Sequence, residues 1–111
     1  MREGERVIYE VNLRVDSDVS VEFDAWLTPH VEEMLGFDGF QNVSRWVQLD
    51  PPESPVPSNW WVLQYEVASM RALNAYLEGP AAAMRADGIA RFKGRFEATR
   101  RILGSAESTQ R

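Results

Sequence analysis

RWVQLDPPESPVPSNWWVLQYEV, residues 45–67, decides the fold. Its centre, PPESPVPSN, holds four prolines in nine residues. Prolines lack the donor a sheet interior needs, so this piece reads as an extended, stiffened hairpin loop. Both flanks alternate with period two. Upstream, over Phe40 to Leu49, Val43, Arg45, Val47 and Leu49 share one face, with Asn42, Ser44, Trp46 and Gln48 on the other. Downstream, over Trp60 to Val67, Trp61, Leu63, Tyr65 and Val67 oppose Trp60, Val62, Gln64 and Glu66. The two strands are therefore antiparallel neighbours.

Working outward, VIYEVNLRV (residues 7–15) alternates in the same way and predicts a first strand. Asp16, Ser17 and Asp18 supply turn and N-cap oxygens, and Phe23, Trp26, Leu27, His30, Val31, Met34 and Leu35 then recur at helical spacing up to Gly36. Pro29 inside that helix predicts a kink near Ala25 to Thr28. GFDGF (36–40) reads as a turn without the strand-to-helix context of a phosphate loop. Beyond the hairpin, Ser69 caps a second helix carrying Met70, Leu73, Tyr76 and Leu77, which Gly79 and Pro80 stop. A restart through AAAMRAD is expected to end at Gly88. RFEATRRIL (95–103) is the last strand, with Phe96, Ala98, Arg100 and Ile102 on one side, and the small polar GSAESTQR tail reads as loose.

The order is β-α-β-β-α-β, an α+β ferredoxin-like sandwich with helices over one face of an antiparallel four-stranded sheet. The 111 residues are expected to form a single domain, with an ordered core about 6–103. A formal charge of −5 repels phosphate backbones and anionic lipid, so neither nucleic acid nor membrane is an expected partner. The opening MREGERVIYEV has no apolar leader and no later run is long enough to span a bilayer, so a cytoplasmic protein is expected. Without cysteine, thiolate metal sites and thiol nucleophiles are out of reach; no metal site and no cofactor are expected.

The sheet face away from the helices carries Ile8, Glu10, Asn12, Trp46, Trp60 and Val62, together with Gln64, Arg95, Glu97 and Arg101. Two tryptophans beside aliphatics and opposite charges predict a homodimer through the sheet faces.

Taken in order, VIYEVNL, AWLTPHVEEML, the GF at 39–40, WVLQYEVASMRALNAYLEGPAAAMRADGIARF and RFEATRRIL resemble a small bacterial family of uncharacterised proteins in the dimeric α+β barrel superfamily. The resemblance spans Val7 to Leu103. It implies a homodimer and a pocket between helices and sheet. That superfamily includes cofactor-free monooxygenases, haem-degrading enzymes, small-ring isomerases and ligand-sensing modules, so the resemblance assigns no catalytic residue.

His30, the one histidine, falls mid-stripe on the first helix and faces the sheet. Opposite it the sheet offers Tyr9, Arg45, Tyr65 and Arg100. In one reading His30 donates to a backbone carbonyl freed by Pro29 while the arginines run out to surface carboxylates. In another these groups line a cavity in which Arg45 or Arg100 holds a small aromatic or anionic ligand, Trp26 and Trp61 wall it, and His30 transfers a proton. A third makes His30 a haem ligand. Ser44, Ser58 and Ser69 lack a histidine and aspartate in pattern, and Glu32 and Glu33 lie on the solvated side. A cofactor-free enzyme, oxygenase-like or isomerase-like, is the leading expectation; a dimeric ligand-sequestering or structural module is the alternative.

Overall fold

The structure, a computed structural model, describes residues 6–111; the charged MREGE lead-in lies outside the described residues. The elements are β1 (Val7–Asp16), one 3-10 turn (Ser17–Val19), α1 (Ser20–Met34), β2 (Phe40–Val47), β3 (Ser58–Val67), α2 (Met70–Glu78), α3 (Ala81–Phe92) and β4 (Phe96–Gly104). All strands pair antiparallel in the order β2-β3-β1-β4. This is the ferredoxin-like α+β arrangement. Residues 105–111 are exposed and carry no regular structure. Among the described residues, no helix is long and apolar enough to cross a membrane.

Alternation sets the register. Tyr9 pairs with Tyr65 and Ile102, Val11 with Leu63 and Arg100, and Leu13 with Trp61 and Ala98, so these side chains share the helix-covered face. Phe23, Leu27, Val31 and Met34 from α1 and Leu73 and Tyr76 from α2 close over them and are buried. Fully burying one such side chain is worth about 1.5–3 kcal/mol. Phe40 joins this face although plain alternation would put it opposite, because Gln41 forms a bulge between the Phe40↔Val67 and Asn42↔Glu66 pairs. Gly39 precedes it at φ 86°, where a Cβ would stand 2.4 Å from that of Ala72. Only glycine fits there.

Several boundaries depart from the sequence reading. β2 ends at Val47, leaving Leu49 exposed in the loop. Asp16 and Asp18 do not cap α1; both take hydrogen bonds from Arg95, which lies before β4 instead of on the open face. Ser69 does cap α2, accepting from the Ala72 N–H at 3.2 Å. α1 runs on through Pro29, whose neighbour Ala25 is exposed, so water can take the carbonyl the proline leaves free. α3 also continues through Gly88 to Phe92.

Gly88 stays helical because it is needed for contact. A Cβ at this position would meet the Trp26 ring 2.9 Å away, so the glycine lets the α1 indole lie directly on the α3 backbone. Glycine normally costs a helix interior about 0.5–1 kcal/mol relative to alanine. Here the tight packing of two helices offsets that cost.

Candidate functional site

A cavity of about 260 Å³ opens beneath α1 and α3, above the β1, β3 and β4 part of the sheet. Val11, Leu13, Leu63 and Ala98 form its floor, and Phe23, Leu27, Met34 and Met84 its apolar walls. Ala98 on β4, a small residue, leaves room in the floor, while Gly88 on α3 lets the Trp26 indole lie against the helix as a side wall. The exposed Ile89 and Lys93 mark its mouth.

Polar groups enter from four elements. His30 comes from α1, Tyr65 from β3 and Arg100 from β4, while α3 contributes Arg85. The His30 imidazole stacks on Trp26 with ring centroids 4.5 Å apart and planes 29° from parallel. Trp26 is fixed in turn by its indole N–H, which donates to Asp87 Oδ2 at 2.7 Å. Among the described residues His30 has no hydrogen-bond partner of its own, so the reading in which it donates to a Pro29-freed carbonyl is not realised.

Burial holds the His30 pKa below its ordinary 6.5, and Arg100 pushes the same way against Glu33 and Asp87. The imidazole is therefore neutral near pH 7 and able to accept a proton. Tyr65 is pushed the other way: burial, with Tyr76 and Tyr9 beside it, keeps its hydroxyl protonated. Among the described residues no carboxylate lines the cavity.

Of the seven residues expected at the site, His30, Trp26, Tyr65 and Arg100 meet in the cavity. Tyr9 lies behind it, its hydroxyl accepting from Arg85 Nη2 at 3.0 Å. Arg45 and Trp61 lie outside the lining. Arg45 sits on edge strand β2, where its Nη2 donates to Asp24 at 2.7 Å and its guanidinium stands 5.4 Å from the Trp61 ring. An exposed α1 carboxylate therefore takes the cation that was expected to hold a ligand. Arg85 and Gly88 join the lining although the sequence pattern marks AAAMRAD as a helix restart and Gly88 as its end. The spacing of Ala81, Met84, Arg85 and Gly88, one face of one helix, was the available signal.

The profile of a family described as a domain of unknown function, DUF4286, matches residues 6–106. The chain belongs to that family. No curated protein matches its sequence. Among solved structures, it is similar to SnoaB, a cofactor-independent oxygenase from Streptomyces nogalater, at 15% identity and a TM-score of 0.68, covering 95% of this chain and 96% of that one. It is also similar to the heme-degrader MhuD from Mycobacterium tuberculosis, solved with two hemes in its active site, at 17% identity and a TM-score of 0.55, covering 94% and 99%. A dimeric ferredoxin-like protein of unknown function from Thermobifida fusca matches at 12% identity and a TM-score of 0.59, covering 93% and 95%. At these identities the likeness is one of fold. The haem reading of His30 finds little room here, since the cavity lies just below the range of about 300–1,000 Å³ usual for ligand pockets and suits a one- or two-ring compound better than a porphyrin.

Proposed function

We propose that this DUF4286 protein binds a small aromatic compound in the cavity beneath α1 and α3, and that His30 takes a proton from it. The observation that carries this reading is an imidazole held neutral, stacked on Trp26 at the wall of an apolar cavity and free of internal hydrogen bonds. Such a group is in the unprotonated form that can accept a proton near neutral pH. The ligand's O–H or activated C–H bond breaks, and an N–H bond forms on the imidazole. Arg100, which also lines the cavity, would favour the resulting anion. Proton removal is common to oxygenase-like and isomerase-like chemistry. The fold shared with a cofactor-independent oxygenase supports the reading.

Binding without turnover is a second reading. One observation favours it: among the described residues no carboxylate lines the cavity to pass the proton onward from His30. Para-nitrophenol, whose phenolate absorbs visible light, tests the proposal. Bound to the native protein it should ionise at a pH where the free phenol is largely neutral, and His30→Gln should abolish that change while still binding. Ionisation that survives in the variant assigns the effect to the arginines and removes His30 as base; an absence of binding removes the cavity reading.

The homodimer belongs to the same proposal. Trp46 is 56% exposed, and a shallow groove across the open sheet face runs between it, Val62 and the Glu10 cluster. Solved neighbours described as dimeric ferredoxin-like proteins support this.

A further inference from the structure

Arg85 is the cavity residue that the fold leaves unfinished. Its Nη2 donates to the Tyr9 hydroxyl at 3.0 Å, but its Nε is buried and has no acceptor among the described residues. Among the described residues no ion pair joins Arg85 to a carboxylate, although Arg14, Arg45, Arg91, Arg95 and Arg101 each have one. A buried donor without an acceptor is costly, and a guanidinium beside an apolar cavity costs more still. Arg100 and Lys93 line the same cavity and, among the described residues, no acid does, so its charged lining is of one sign.

Resting on the reading of this cavity as a ligand site, we propose that its ligand is an aromatic carboxylate and that Arg85 is the residue that receives the carboxylate. The planar guanidinium matches a carboxylate in geometry as well as charge, which a phenol or a neutral ring would not use. Tyr9, buried behind the guanidinium, holds it through Nη2; Nε is the donor still without an acceptor, and a small turn of the side chain would present it to a carboxylate in the cavity that Arg85 lines. The ring then lies among Leu27, Leu63 and Met84, and the cavity volume limits it to one or two fused rings. Arg85 is thus a specificity residue, and His30 meets the part of the ligand away from the carboxylate.

Calorimetric titration with naphthalene carboxylate and with its carboxamide, at about pH 8 where the acid is ionised, tests this. The native protein should bind the carboxylate at least about tenfold more tightly, roughly 1.4 kcal/mol. Arg85→Gln should bring the two compounds level by weakening the acid alone, and Arg100→Gln should keep most of the preference. Should Arg85→Gln fail to fold by circular dichroism, Arg85→Lys serves, and it should reduce the preference while keeping the charge. Equal binding of acid and amide by the native protein overturns the carboxylate proposal and leaves the aromatic cavity standing. A preference lost in Arg100→Gln but kept in Arg85→Gln or Arg85→Lys overturns the assignment to Arg85. If neither compound binds, the cavity reading falls, and this proposal with it.

Discussion

The imidazole of His30 lies on the indole of Trp26 at 4.5 Å, and the six-membered ring of that indole packs against Gly88. Trp26 therefore transmits the position of α3 to the side chain proposed as the base. Its hydrogen bond to Asp87 ties the same two helices together. Replacing Gly88 by Ala sets two effects against each other. Helix propensity gains about 1 kcal/mol, while overpacking a rigid, hydrogen-bonded indole costs about 1–3 kcal/mol. The second should win. Chemical denaturation is expected to show net destabilisation, and the His30-dependent ionisation of para-nitrophenol should weaken; a more stable Gly88→Ala would mean that the indole moves freely.

His30→Gln should change stability at neutral pH by less than about 1 kcal/mol, because the side chain is only partly buried and no internal hydrogen bond is lost. Its pH dependence is more telling. The folded-state pKa lies below 6.5, so above that value neither state is protonated and the site costs nothing. As the pH falls through 6.5 the unfolded chain takes up the proton first, and stability drops until the lower folded value is passed. Melting curves at about pH 7.5 and about pH 5.5 should therefore lie closer together for the variant than for the native protein. Identical spacing would mean that burial does not disfavour the charged imidazole.

Glu10 is 2% exposed on the sheet face away from the helices. It accepts hydrogen bonds from Asn12 at 3.1 Å, Gln64 at 2.9 Å and Arg101. The Arg101 bond leads the effects that hold its pKa below 4.5. Because the Arg101 side chain is 64% exposed, water screens the pair, and Glu10→Ala should cost about 1–3 kcal/mol, less than a fully buried pair. The lowered pKa gives stability that is present above pH 4.5 and lost as the pH falls through the folded value. Acid titration of the native and variant proteins by circular dichroism should show that loss shrink in the variant.

Val62→Asp should convert a dimer to a monomer by light scattering at micromolar concentration, since the new charge would be buried between two copies without a partner. A native protein of monomer mass would remove the dimer from the proposal.

Where each strand points was legible because alternation is local: Tyr9, Val11, Leu63, Tyr65 and Arg100 share a face from pattern alone, and β1 pairing brings them together. The bulge at Gln41 was not legible, since one inserted residue leaves no compositional mark. His30, Trp26, Tyr65 and Arg100 were recoverable as neighbours because their elements stack in known order. Arg45 was misplaced because face alone does not give lateral position: an edge strand offers the same parity as a central one, and Asp24 on α1 was nearer than any cavity. Gly88 looked like a stop signal because what it accommodates, the Trp26 ring, is sixty-two positions earlier in the chain.

β1 sits at the middle of the sheet, with Val7 beside Val67 on one side and Gly104 on the other. The first strand made is thus the one whose partners arrive last. Nearly the whole chain must be in hand before both edges of β1 are paired, so relative contact order is high and folding should be slow for a domain of this size. On a growing chain, the β1 edge that β4 covers would stay unpaired until the segment after residue 95 emerges, and in that interval it is an edge open to mispairing with another copy.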